Sequence, residues 1–73
     1  MLPDFKEPVL QFRGRTCLYI ENYRKLLCYQ KTQIRVGTKA GIIEVNGTNL
    51  TIRYYSKEDL EIKGLIKMVC FIE

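Results

Sequence analysis

The feature that most constrains the fold is the alternation of apolar residues along positions 41–72. Apolar side chains occupy nearly every second position there, and the pattern is interrupted only by an Asn-Gly pair and by one acidic turn. A period of two is that of a β-strand, because successive side chains of a strand point to opposite faces. The sequence therefore predicts a small all-β domain.

The residues before this stretch predict two hairpins. In the first, residues 9–13 and 16–21 are joined by a three-residue loop, because that register brings the apolar residues onto one face. Its pairs are Leu10 with Ile20 and Phe12 with Leu18. In the second, residues 26–30 and 33–36 are closed by Lys31-Thr32, after a turn in which Asn22 adopts a positive φ. Its pairs are Tyr29 with Ile34 and Leu27 with Val36.

Asn46-Gly47 is the strongest local turn signal in the chain. Asn-Gly is the preferred pair for a two-residue type I′ hairpin, because both central residues of that turn need a positive φ. The sequence therefore predicts a hairpin here. Its pairs are Val45 with Thr48 and Ile43 with Leu50.

The last third of the chain predicts one long strand, bent or bulged at Gly64, with two apolar rows. The first row holds Leu60, Ile62, Ile66, Met68, Cys70 and Ile72, and the second holds Leu65, Val69 and Phe71. Either the strand is central to a sandwich and covered on both faces, or the second row binds something. A domain this small has little chain with which to cover a second row, which favours self-association, most simply a homodimer.

Size and composition limit the other possibilities. Seventy-three residues make one domain, which we place at residues 9–73, after a loose N-terminal arm at residues 1–8. Three cysteines without CxxC spacing and without histidine favour free thiols in a reducing compartment over a disulfide framework, a zinc site or another metal or cofactor site. No apolar run is long enough for a membrane helix, and we expect no secretion signal.

The basic residues are concentrated in one half of the chain. Residues 9–40 carry seven basic residues against one acid, Glu21. This half predicts a basic patch of Arg13, Arg15, Arg24 and Lys25 that contacts an acidic protein or a membrane surface. The alternative is a solvated face whose lysines protect sheet edges from mispairing.

Reactive groups are sparse. The chain has no histidine, and its one serine, Ser56, lies beside acids, so that no nucleophile and base can be combined. We therefore expect no enzyme and no catalytic residue.

A basic nucleic-acid-binding β-barrel is the alternative function, because five tyrosines and the basic half could supply stacking and charge. Tyr29 and Tyr54 have the parity of core residues, however, and no RNP motif occurs.

Three motifs in order resemble the YabP/YqfC family of sporulation proteins, and are nearest to its YqfC branch. They are Ile20-Glu21-Asn22-Tyr23, then Gly41-x-x-x-Val45-x-Gly47-x-Asn49-Leu50-x-Ile52, then Lys57-Glu58-Asp59-Leu60-x-Ile62-x-Gly64-x-Ile66. The resemblance implies a small immunoglobulin-like antiparallel β-sandwich, of about seven to eight short strands. It also implies a protein in the mother-cell cytoplasm of an endospore-forming bacterium, at the forespore surface, that contributes to the spore coat or cortex. It supplies no catalytic residues.

Taken together, these features predict a non-enzymatic interaction module. It would dock through a sheet edge or through an apolar face formed by Leu65, Val69 and Phe71. The basic patch would add an electrostatic contact. The expected partner is another protein, including one held at a membrane, or a second copy of the chain.

Overall fold

The computed structural model describes residues 7–72, which form six antiparallel strands in one sheet. The strands are β1 (Val9–Arg13), β2 (Cys17–Glu21), β3 (Tyr23–Tyr29), β4 (Gln33–Thr38), β5 (Gly41–Tyr55) and β6 (Asp59–Ile72). Their order across the sheet is β1-β2-β6-β5-β4-β3. Within this part of the chain no helix is present that could span a membrane. Most of the predicted arm, residues 1–6, lies outside the described residues.

The predicted all-β antiparallel class is confirmed, but a sandwich of seven to eight strands is not. The described residues form six strands, partly because β5 is one long strand where a hairpin was expected. β5 has 15 residues and β6 has 14, and they pair with each other along most of their length. The single long strand predicted for the last third of the chain is therefore confirmed, including its irregularity at Gly64, where φ is +137°.

The type I′ hairpin predicted at Asn46-Gly47 is wrong. β5 passes through both residues without reversing, and neither residue has a positive φ. Gly47 instead lies at a shift of register between β5 and β6, where a Cβ atom would collide with the backbone oxygen of Leu65. Glycine is required there because two backbones approach closely, which is the other common reason for glycine inside a strand.

β6 changes its register with β5 at Gly64, a position that we call the bend of β6, and the loop between β1 and β2 is hydrogen-bonded to it. The Gly64 amide donates a hydrogen bond to the Thr16 carbonyl at 3.1 Å, and the Ile66 amide donates to the Arg15 carbonyl at 2.8 Å. Before the bend β6 pairs with β2, over the five positions from Asp59 to Lys63. The loop therefore ends the pairing between β2 and β6.

The bend of β5 is built in the same way by the loop between β3 and β4. The Gly47 amide donates to the Thr32 carbonyl at 3.1 Å, and the Leu50 amide donates to the Lys31 carbonyl at 2.8 Å. β4 pairs with β5 only before this bend. The first half of each long strand thus pairs with a hairpin. Along the second half, no strand within residues 7–72 pairs with the same side.

The core is formed by the side chains on one face of this bent sheet. Ten buried residues make one cluster, and they come from every strand except β1 and β3: Leu18, Ile20, Ile34, Val36, Ile43, Val45, Leu50, Leu60, Ile62 and Ile66. Leu10, Tyr23, Ile52 and Val69 pack against the cluster from its margin. Among the described residues no charged or polar side chain is buried, so burial of apolar area is what stabilises the fold.

The hairpin registers test the sequence analysis position by position. The pairs in the first hairpin are confirmed, as are Tyr29 with Ile34 and the positive φ of Asn22, which is 67°. The predicted pair of Leu27 with Val36 is wrong. A bulge in β3 between Leu26 and Cys28 makes Leu26 the partner of Val36. The bulge leaves Leu27 46% exposed.

Candidate functional site

One side of β6 is unpaired beyond its bend. From residue 67 to residue 72 the strand pairs with β5 on one side only, and no strand in residues 7–72 pairs with the other side. The equivalent part of β5 is partly covered, because the Ile52 amide donates a hydrogen bond to the Tyr29 hydroxyl at 2.9 Å. We call residues 67–72 the free edge of β6.

A bulge at Lys67 changes which side chains of β6 face the core. Asn46 pairs with Met68 and Gly47 pairs with Ile66, which leaves Lys67 as an extra residue. Beyond the bulge the core-facing residues of β6 are therefore the odd-numbered ones, as the pairing of Val69 with buried Val45 shows. The parity predicted from the sequence is wrong for this part of the strand.

The predicted apolar interface is consequently divided between two faces. Val69 packs against the core, and Phe71 lies opposite buried Ile43 on the same face but is 54% exposed. Leu65 is 41% exposed and does not share that face, since its neighbour Ile66 points into the core. Leu65 and Phe71 are thus exposed as expected, on opposite faces, whereas Val69 is half-buried.

Met68 is the residue that the sequence analysis missed. It was predicted to share a row with Leu60 and Ile62, which are buried, but the bulge turns it to the outer face, where it is 52% exposed. It lines a shallow groove of about 300 Å³ between the β1–β2 loop and β6, together with Phe12, Arg15 and Val69. An edge with exposed apolar residues and an adjoining groove is the type of surface to which another strand can be added.

The predicted basic patch is also divided. Arg13 and Arg15 lie at the end of β1 and in the loop after it, and Arg15 lines the groove beside the free edge. Arg24 and Lys25 lie on β3, which is the opposite edge strand of the sheet. All four side chains are exposed. Arg15 therefore lies beside the free edge of β6, whereas Arg24 and Lys25 lie on the opposite edge strand of the sheet.

A polar network covers the outer face of β4 and β5. Glu44 accepts hydrogen bonds from Asn46 Nδ2 at 2.8 Å and from Arg35 Nε at 2.9 Å, and Gln33 Nε2 contacts Asn46 Oδ1 at 3.4 Å. The hydrogen bond from Asn46, followed by that from Arg35, lowers the pKa of Glu44 below its ordinary 4.5 despite the opposing effect of burial.

The lowered pKa of Glu44 predicts a pH dependence of stability. A carboxylate whose pKa is lower in the folded state stabilises the fold above its unfolded pKa, and this contribution is lost as the pH falls through the folded pKa. We expect the Tm advantage of the wild type over Glu44→Gln to shrink between about pH 6 and about pH 3. Thermal unfolding of both proteins across this range checks it. A Tm difference that does not change with pH would contradict the assignment.

Cys17 and Glu61 form the other cluster of reactive groups. The Cys17 thiol donates a hydrogen bond to Glu61 Oε2 at 3.1 Å. Burial, and then this hydrogen bond, raise the pKa of the Cys17 thiol above its ordinary value. Because the thiolate is the reactive form, these surroundings make Cys17 a poor nucleophile at neutral pH. Across residues 7–72 no three His, Cys, Asp or Glu side chains are arranged to hold a metal ion.

Comparison with known proteins identifies the family of this small single-sheet β protein. The model of the YabP family matches residues 6–73, and the chain belongs to that family. It is 32% identical over 66 residues to the uncharacterized protein YqfC of Bacillus subtilis strain 168, which covers 90% of this chain and 71% of that protein. The resemblance drawn from the three motifs is therefore confirmed. The family is associated with sporulation.

Proposed function

We propose that the chain is a non-catalytic interaction module in the assembly of the spore envelope, coat or cortex. It acts in the mother-cell cytoplasm at the forespore surface, where its partners include a second copy of itself or another protein, free or held at the membrane. The family association with sporulation supports the setting. The observation that carries the docking role is the free edge of β6, where no strand within residues 7–72 pairs with the side that faces away from β5 and where apolar residues are exposed.

A second copy of the chain is the simplest occupant of this edge. Most soluble oligomers are homodimers in which the same surface of both copies meets about a two-fold axis. Two antiparallel β6 edges centred on Val69 would place Lys67 of each copy opposite Phe71 of the other, and Met68 opposite Cys70. No basic residue of β6 would then lie directly opposite another, and the cation of Lys67 would lie beside an aromatic ring.

This proposal predicts that Phe71→Lys weakens self-association. The substitution removes an exposed aromatic residue from the edge and places a second cation opposite Lys67. We expect a loss of about 2 kcal/mol, or roughly thirtyfold in Kd, which is typical for an aromatic residue central to an interface. Sedimentation velocity over a concentration series measures it.

Leu27→Lys is the matched control, because Leu27 is 46% exposed on β3 and also gains a lysine there. It should associate like the wild type. A wild type that remains monomeric at about 500 µM would exclude a dimer of useful affinity. If both substitutions weakened self-association equally, the effect would come from the added net charge and not from the β6 edge.

A further inference from the structure

We propose that the cleft between β3 and the far half of β5 is a second docking site, which binds an apolar side chain within an acidic segment of another protein. The cleft has a volume of about 380 Å³ and lies away from the free edge of β6. Six residues line it: Tyr23, Leu26, Tyr29, Ile52, Tyr55 and Leu60. Its volume is within the range typical of sites that hold a ligand or an anchoring side chain.

The walls of the cleft are held in place by hydrogen bonds within the chain. The Tyr23 hydroxyl donates to the Ser56 carbonyl at 2.7 Å, and the Tyr23 amide donates to the Glu58 carbonyl at 3.0 Å. The Tyr29 hydroxyl accepts the Ile52 amide at 2.9 Å. Binding to a wall that is already ordered has a lower entropic cost than binding to one that must be ordered.

The chemistry of the walls selects an apolar occupant. The hydroxyls of Tyr23 and Tyr29 are both used within the chain, and Leu26, Ile52 and Leu60 carry no polar group. The cleft therefore presents mainly ring faces and aliphatic carbon to what enters it, with the Tyr55 hydroxyl at its exposed margin. Leucine, proline or phenylalanine side chains fit such walls, whereas a nucleobase would lose hydrogen bonds from its polar edge.

The cleft is open at its mouth and closed at its base. Tyr55 is 71% exposed and Tyr29 is 49% exposed, while Leu60 is only 1% exposed. A side chain entering from solvent would thus cover two aromatic residues and reach the core. Aromatic residues around an anchoring pocket are typical of sites that carry much of a binding energy.

The charges beside the cleft favour an acidic segment. Arg24 and Lys25 are exposed on β3, between Tyr23 and Leu26 in the sequence, and both of those residues line the cleft. The acids beside the cleft, Glu58 and Asp59, lie before Leu60 at the start of β6, so the cations lie along β3 alone. The sequence contains no acid between Glu21 and Glu44. An extended segment that follows β3 and places its anchor in the cleft would pass along these cations, which attract carboxylates and repel basic segments.

The test is an NMR titration of the ¹⁵N-labelled protein with three synthetic peptides. The first is Glu-Asp-Pro-Leu-Phe-Asp-Glu, the second has lysine at all four acidic positions, and the third has Ser-Gly-Ser in place of Pro-Leu-Phe. We expect the first peptide to shift the amides of the residues lining the cleft, with a Kd below about 1 mM, and the other two to bind about tenfold more weakly.

Tyr55→Ala and Tyr54→Ala form a matched pair of variants. Tyr54 is 48% exposed on the same strand but does not line the cleft. Tyr55→Ala should weaken binding of the first peptide about fivefold, and Tyr54→Ala should leave it unchanged.

Three outcomes of the peptide titration would overturn the proposal. They are shifts confined to residues outside the cleft, equal binding of the three peptides, and no shift at about 1 mM peptide. Stronger binding of a thymidine oligonucleotide to the same residues would also overturn it, because it would assign the cleft to single-stranded nucleic acid. None of these results depends on the free edge of β6, so the proposed function is tested separately.

Discussion

Gly47→Ala is expected to destabilise the protein by about 3 kcal/mol or more, which lowers Tm by roughly 15 °C in a domain of this size. The added Cβ would collide with the backbone oxygen of Leu65 and lie 3.0 Å from a methyl group of Leu50. A backbone atom in a paired strand cannot move away without separating β5 from β6. Thermal and urea unfolding measure the effect.

Gly14→Ala is the control for this substitution. Gly14 has a φ of +60°, but beyond its chain neighbours no atom of the described residues lies within 4 Å of the position of its Cβ. Only the cost of the left-handed backbone remains, which is about 1 kcal/mol. If Gly47→Ala were no more destabilising than Gly14→Ala, the close approach of β5 and β6 at this bend would be wrong.

Leu18→Ala is expected to have the second large effect, a loss of about 3 to 4 kcal/mol. Leu18 is fully buried in the core and lies between Phe12 of β1 and Ile62 of β6. Its removal deletes buried apolar atoms and leaves a cavity that two paired strands are too constrained to fill. Since small domains have stabilities near the lower end of 5–15 kcal/mol, most of the stability would be lost.

Leu27→Ala applies the same chemical change to an exposed leucine. Because Leu27 is 46% exposed on β3, we expect a loss below about 1 kcal/mol. Urea unfolding of the two variants separates cavity formation from loss of exposed surface. Equal losses of unfolding free energy in the two variants would contradict the assignment of Leu18 to the core.

The local sequence pattern was sufficient to predict the structure where residues that are close in sequence also pair in the sheet. The β1–β2 register follows from matching Leu10 and Phe12 to the apolar residues across a short loop, and this register is observed. Asn22 has the positive φ that its residue type favours at a turn. The length of β6 follows from its alternation, in which Gly64 interrupts the pairing and does not end the strand.

Asn46-Gly47 shows why local pattern fails at a long-range contact. The pair has the right residues for a tight turn, but Gly47 is fixed by its approach to Leu65, 18 positions later in the chain. A tight turn and a close approach of two backbones both require glycine, so the residue type alone does not distinguish the two structures. The strand count predicted from the sequence exceeded six partly because β5 was divided at this point.

The candidate sites depend on similar long-range features. The bulge at Lys67 exchanges Met68 and Val69 between the two faces, and nothing in the alternation of β6 marks it, since both faces are apolar. The cleft joins Tyr23 and Tyr29 of β3 to Tyr55 of β5, which are distant in sequence. The sequence did predict that β6 carries more apolar side chains than the domain can bury. That prediction depends on the composition of the strand more than on its register.

Amide hydrogen exchange of β6 tests the docking role of its free edge most directly. We expect the amides of residues 67–72 that β5 leaves unbonded to exchange more slowly at about 500 µM protein than at about 20 µM, because a second copy protects them. Amides on the open side of β1, the nearest other edge, should exchange equally at both concentrations. Equal exchange of the β6 amides at the two concentrations would contradict pairing of this edge with a second copy.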